Sequence, residues 1–285
     1  MMVSYDTLYV ARSLPAALDA LAERGVDGSP LAGGTWIMRA PIRHEKHKPA
    51  YVALSNLSEL KTIDISDRSI ELGAGASHAS IATALADMPE LAVLAHAAGH
   101  SANPAVRSVA TVGGNLCTSA FAAADLVPAL LCLGADVEIA ARDGVERMSL
   151  ECFLIARHSL EPGRLLTKVI VPRCASRTAH ARLPLRKAGD YPVAVVSLAV
   201  ILDDTGKVGA ARVAVGSVEK VARRWERLET ALCGDILDPQ EASRAALRFS
   251  DDFTGRDGIE APGWYRVSVL PALVRRAAAA AFAAS

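Results

Sequence analysis

Apolar side chains at Leu14, Ala17, Leu18 and Leu21 recur at helical spacing and predict a short amphipathic helix over 14–24, ended at Gly25. A glycine-rich turn follows at 31–36. Short apolar runs at 51–54, 63–65 and 69–73 read as strands. Helical spacing resumes over 77–86, with Ser77 as the cap, and over 91–98, where Gly99 is expected to stop the helix. The segment 103–125 is polar, glycine-containing and irregular. Beyond it, 126–133 predicts a helix, 135–141 a strand running into a turn at Asp143-Gly144, and 165–171 a strand closed by Pro172. Residues 173–181 carry little hydrophobic pattern and mark the expected domain boundary. The apolar runs 193–202 and 207–218 flank Asp203-Asp204-Thr205-Gly206 and predict a β-hairpin. The chain closes on a helix over 270–284. The sum is α+β in two domains, with too few βαβ units for a doubly wound sheet.

Composition narrows the function classes. The 285 residues are 51% hydrophobic and 22% charged, enough for two packed cores. Lys+Arg and Asp+Glu both number 31, so no net field favours nucleic acid or an anionic membrane. The longest apolar stretch, 193–202, is far short of the ~20 residues of a membrane helix. The opening residues lack the basic-then-apolar order of a secretory signal, and a cytoplasmic protein is expected. The five cysteines, Cys117, Cys132, Cys152, Cys174 and Cys233, form no CxxC, so neither a zinc knuckle nor an iron–sulfur loop is written in the chain.

Candidate chemistry lies in two glycine pairs, Leu31-Ala-Gly-Gly-Thr-Trp36 and Ala110-Thr-Val-Gly-Gly-Asn115. Adjacent glycines let a ligand approach the backbone and let successive N–H groups converge on an anion. Thr35, Thr111 and Asn115 add side-chain donors, a set that suits the two phosphates of a dinucleotide. A Rossmann loop is excluded, since Gly73-Ala-Gly75-Ala-Ser-His78 places histidine where the last glycine or alanine belongs. No GxxxxGK occurs, which excludes a P-loop. A lone glycine pair is more often only a tight turn.

The stretches LAGGTW (31–36), YVALSNLSELKTI (51–63), ANPAVRSVATVGGNLCTSAFAAADLVPALLCLGADVEI (102–139), RKAGDYPVAVVSLAV (186–200) and GWYRVSVLPALVRRA (263–277) resemble, in order, the molybdenum hydroxylase flavoprotein family. These are the FAD-binding, medium subunits of xanthine dehydrogenase and carbon monoxide dehydrogenase. The resemblance implies a vanillyl-alcohol-oxidase-type FAD-binding domain over 1–174, with α+β subdomains of about 1–55 and 56–174. A small C-terminal α+β domain over 178–285 completes the chain. It implies FAD held by Ala32, Gly33, Gly34, Thr35 and Trp36 in the first loop and by Thr111, Val112, Gly113, Gly114 and Asn115 in the second. Asp125 is implied at the nucleotide portion, and Leu166 and Lys187 at the flavin's border. Arg182 or Lys187 is the basic residue presented to it.

The same resemblance implies partners: a large molybdopterin subunit and a small 2Fe–2S subunit, as a dimer of heterotrimers passing electrons through FAD to an external acceptor. The missing cluster cysteines agree with clusters held elsewhere. Trp36 departs from the smaller or polar residue of relatives, and 117–124 is richer in alanine than the usual loop. Alternatives are a covalent flavin oxidase using His44 or His47, a scaffold subunit whose pocket Trp36 blocks, and a metal site at His96 and His100. Asp125 has a second reading as the N-cap of the helix beginning at Leu126.

Overall fold

The computed structural model describes residues 7–185, 191–258 and 260–283. The chain opens with β1 (Leu8–Val10), α1 (Leu14–Arg24), β2 (Gly28–Leu31) and β3 (Ala50–Ala53). These strands form a parallel sheet in the order β1-β3-β2. Ser13 caps α1 by accepting the Ala16 amide at 3.3 Å, and Gly25 ends the helix with φ 53°. The helix lays Ala17, Leu18 and Leu21 on Val52, Leu54 and Leu57, and Leu165 from the next layer closes this small core. Leu31 O accepts the Leu54 amide at 3.0 Å, so β2 delivers the chain directly into the first glycine loop.

A larger layer follows: β4 (Ile63–Ile65), β5 (Ser69–Gly73), α2 (His78–Ala84), α3 (Ala92–His100), α4 (Pro104–Arg107), α5 (Val112–Cys117) and α6 (Leu126–Cys132). It continues with β6 (Asp136–Ala141), β7 (Gly144–Ser149), α7 (Leu150–Ala156) and β8 (Leu165–Pro172). Its antiparallel sheet runs β4-β5-β8-β6-β7. Ile70, Leu72, Val137, Val169 and Val171 point from it onto Ile81, Leu94, Leu116 and Leu130 of the helices. Two expectations are corrected. Gly99 does not stop α3, which continues to His100, and the segment 103–125 contains two short helices. Asn103 and Thr111 each cap one of them through a side-chain oxygen, a local signal present in the sequence.

The last layer comprises β9 (Arg177–Pro184), β10 (Pro192–Leu202), β11 (Val208–Gly216), β12 (Arg223–Arg224), α8 (Glu226–Leu232), α9 (Pro239–Arg248), α10 (Gly263–Ser268) and α11 (Leu270–Ala283). Its antiparallel sheet runs β12-β11-β10-β9. The expected hairpin is present, and Asp203 Oδ1 accepts the amides of Thr205 at 2.8 Å and Lys207 at 3.0 Å across its turn. One sheet face (Ala179, Ala181, Val196, Leu198, Val213, Val215) packs with Trp225, Leu228 and α11 residues Leu273, Val274 and Ala278. Thr178, His180 and Ser197 instead turn toward the larger middle layer. β9 begins inside the stretch read as a boundary. Among the described residues, no helix is long and apolar enough to cross a membrane.

Candidate functional site

Leaving β2, the chain turns at Gly33, where an added Cβ would lie 1.9 Å from Val109 O. Only glycine permits that approach, and it brings the first glycine loop against the residues that lead into the second. Among the described residues, the amides of Ala32, Gly33, Gly34 and Thr35 donate to no backbone carbonyl. Four successive amides without a backbone acceptor are donors available to an anion. Gly34 O accepts the Met38 amide at 2.9 Å and anchors the turn to the 3-10 helix Ile37–Arg43.

Trp36 forms part of a wall that the sequence did not reveal. Its ring lies 4.8 Å from Phe121, and Phe121 lies 5.0 Å from Tyr191 in an edge-on contact. The Arg43 guanidinium sits 3.8 Å over the indole while Nη1 donates to Trp36 O at 3.0 Å. Arg43 is itself held by Glu45, whose carboxyl it keeps below the usual range. Arg39 Nη1 donates to the Tyr191 hydroxyl at 2.9 Å. The basic run at 43–48 reads as solvated in sequence, yet Arg43 is spent on the loop.

The second loop is built differently. Thr111 caps α5, accepting the Gly114 amide on Oγ1 at 3.1 Å and the Asn115 amide on its carbonyl at 2.9 Å. Val112 and Gly113 donate to Ala76 O and Ala74 O, at 3.0 and 2.8 Å. Every amide from 112 to 115 is therefore consumed within the protein, and the two glycine pairs are not equivalent donor sets. The second loop instead offers the exposed Gly114 surface and the Asn115 amide, whose buried Oδ1 has no hydrogen-bond partner. A buried acceptor left open in this way is available to a donor from outside the chain.

Asp125 does not cap α6 with its side chain. It is buried and accepts from Arg182 Nε at 2.8 Å, a pair that joins the larger middle layer to β9. Burial pushes its pKa up to about 6, with Arg182 opposing the rise. Arg182 is thereby held beside Asp125. Leu166 is buried in the core opposite Ile139, and the carbonyl of the next residue, Thr167, accepts the Ala74 amide at 2.8 Å beside the second loop. Lys187 lies outside the described residues.

His96 and His100 stack at 3.9 Å, and His100 Nδ1 lies 3.1 Å from His96 O. Among the described residues, no group of three or more His, Cys, Asp or Glu could hold a metal ion. His47 is occupied with the Tyr51 hydroxyl at 3.2 Å. Two other histidines are buried: His78 against Ser101 Oγ at 2.7 Å and His180 against Ser197 Oγ at 2.9 Å, each with Nε2 unpartnered. Burial lowers their pKa to about 4 and about 3. Unfolded histidine takes its proton near pH 6.5, so stability is full above that pH and is lost as pH falls toward 4. At pH 5 each costs about 2 kcal/mol, while Asp125, protonated first in the folded chain, returns about 1 kcal/mol. A net loss of about 2–3 kcal/mol from pH 7 to pH 5 is expected in urea unfolding, and a flat profile would contradict these environments.

Residues 3–174 match the family described as the FAD binding domain in molybdopterin dehydrogenase. The chain belongs to that family. Residues 180–281 match the carbon monoxide dehydrogenase flavoprotein C-terminal domain. The chain is 30% identical over 281 residues to the 6-hydroxypseudooxynicotine dehydrogenase complex subunit alpha of Paenarthrobacter nicotinovorans, covering 98% of this chain and 94% of that one. It is 29% identical over 230 residues to the nicotinate dehydrogenase FAD-subunit of Eubacterium barkeri, covering 78% and 77%. Quinoline 2-oxidoreductase from Pseudomonas putida 86 superimposes with a TM-score of 0.88 at 28% identity, covering 100% of this chain and 99% of that one. Carbon monoxide dehydrogenase from Oligotropha carboxidovorans, at 23% identity, shares the fold with a TM-score of 0.89 over the full length of both chains.

The resemblance read from the ordered motifs is thus met over both parts of the chain, and so is the expected α+β fold. The protein is an FAD-binding medium subunit of the molybdenum hydroxylase family. The first-loop amides, with no backbone acceptor among the described residues, and Asn115 Oδ1 of the second loop are donors and an acceptor of the kind a dinucleotide such as FAD takes.

Proposed function

We propose that FAD lies across the two touching glycine loops, its pyrophosphate on the amides of Ala32 to Thr35. The observation that carries this is those four amides, which have no backbone acceptor among the described residues. Trp36 lines the site with Phe121 rather than closing it off, and Asn115 takes a donor from the ligand. Thr111, Val112, Gly113 and Gly114 shape the second loop through their packing against Ala74 and Ala76. Asp125, Leu166 and Lys187 complete the border, with Asp125 acting through Arg182. The FAD-binding domain spans 1–174 and the C-terminal domain 178–285.

Bound FAD would supply two-electron chemistry between the 2Fe–2S clusters of a partner and an external acceptor. This chain's residues bind and orient it and carry no acid–base step. In this reading the chain works in the cytoplasm, in a dimer of heterotrimers with a large molybdopterin subunit and a small 2Fe–2S subunit. The test is to purify the tagged chain with its partners and denature it. One FAD per chain should appear in the supernatant with a flavin spectrum. A folded, assembled complex without flavin would refute FAD at these loops, and flavin retained by the denatured chain would favour the covalent oxidase reading.

A further inference from the structure

Ser217 follows β11 with φ 66°, a left-handed conformation unusual for a residue other than glycine, and is 1% exposed. Such a conformation persists only where the surroundings over-determine it, and such residues cluster at functional sites. Here they do over-determine it. The Ser217 amide donates to Ala122 O at 3.1 Å, and its hydroxyl donates to Pro192 O at 2.5 Å. Its carbonyl accepts from Arg256 Nε at 3.0 Å and from Arg266 Nη1 at 3.2 Å. Its hydroxyl oxygen also lies 3.3 Å from Arg256 Nη2 and 3.4 Å from Arg266 Nη1.

The two arginines are fixed in turn. Arg266 is fully buried, donating also to Val193 O at 2.7 Å, Arg256 O at 3.0 Å and Glu260 Oε2 at 3.2 Å. The Arg256 amide donates to Val218 O at 2.7 Å. What Ser217 reaches is informative. Ala122 directly follows Phe121, and Pro192 directly follows Tyr191. These are the two aromatic rings that, with Trp36, wall the first glycine loop. A turn needed only to end β11 would be met by glycine, with no call for a hydroxyl or for two guanidiniums.

We propose that Arg256 and Arg266 are positioning residues for the flavin site, acting through Ser217 to set the Phe121–Tyr191 pair and, through it, Trp36. The C-terminal domain thereby shapes the FAD site from a distance. The inference rests on FAD lying at the glycine loops.

Arg256 is only half-buried, which makes it the side chain to change. In the assembled complex, Arg256→Gln should weaken FAD binding about tenfold and alter the visible circular dichroism of the bound flavin. Arg256→Lys, which keeps the charge and one donor direction, should restore most of both, and Ser217→Gly serves as the test if Arg256→Gln fails to assemble. Ser217→Gly keeps the amide and carbonyl bonds and loses the hydroxyl; a loss of about threefold is expected. FAD held by Arg256→Gln with wild-type affinity and dichroism, whatever its melting temperature, would overturn this proposal alone. Absence of FAD from the wild-type complex would overturn it together with the reading it rests on.

Discussion

Gly33→Ala should strip FAD from the protein while leaving the fold assembled. The new methyl would stand 1.9 Å from Val109 O, 2.8 Å from Val109 C and 3.2 Å from Ala110 Cα. All three are backbone atoms, so no side chain can swing aside, and the first loop must move off the second. Overpacking of this kind costs about 1–3 kcal/mol or more. The strain falls on the contact that brings the two glycine loops together, so it should appear as about a hundredfold loss of FAD affinity. Gly34→Ala is the matched control. A Cβ there makes only ordinary van der Waals contact, with Leu31 Cδ1 at 3.5 Å and Met38 Cγ at 3.7 Å, and its main strain is the left-handed backbone at φ 69°. That conformation costs about 1–2 kcal/mol for an L-residue, so its loss should be distinctly smaller. Flavin content per chain and fluorescence titration of stripped protein would report both. A folded Gly33→Ala chain that binds FAD normally would refute the placement of the dinucleotide here.

The two glycine pairs were legible in the sequence as candidate loops, but the difference between them was not. Glycine pairs flanked by Thr35, Thr111 and Asn115 look alike as strings, and both suggested converging amides. Whether an amide is free depends on carbonyls brought up by distant strands. Ala76 and Ala74, just past β5, take the Val112 and Gly113 amides while Thr111 takes the next two, and among the described residues no backbone carbonyl reaches the first set. The aromatic wall was illegible for the same reason, since Trp36, Phe121 and Tyr191 are far apart in the chain. The opening of β9 within the stretch 173–181 was illegible for another reason. It lacks hydrophobic pattern because β9 alternates alanines on its packed outer face with Thr178, His180 and Arg182 toward the FAD-binding layer. Small residues on one side and paired polar residues on the other carry no period-2 hydrophobic signal, although both faces are buried. The hairpin at 203–206 was readable because its turn chemistry is local.

Arg182→Leu should be the most destabilising single change at the seam between the two layers. It leaves the Asp125 carboxyl, 5% exposed, without the guanidinium 2.8 Å away, and removing one half of a buried pair costs about 3–5 kcal/mol. A local reading assigned Asp125 to helix capping, yet its partner lies 57 residues further along the chain, so the pair closes the FAD-binding layer onto β9. The sign of the pH dependence distinguishes this electrostatic cost from lost packing. Burial already raises Asp125 from 3.8 to about 6, and Arg182 is the group that opposes the rise. With leucine there, the pKa climbs further and the carboxyl takes a proton near neutrality. A carboxyl whose folded pKa lies above its unfolded value favours the folded chain at low pH and loses that favour as pH rises through the folded pKa. The difference in unfolding free energy between Arg182→Leu and wild type should therefore be larger at pH 8 than at pH 6. Adding Asp125→Asn removes the stranded charge and should recover a large part of the loss at pH 8, with no such pH dependence remaining. Urea unfolding of the four chains as a double-mutant cycle measures this coupling directly. Equal losses at both pH values, with no recovery in the double variant, would mean that Arg182 contributes through its packing and that the buried pair is not what fastens the two layers together.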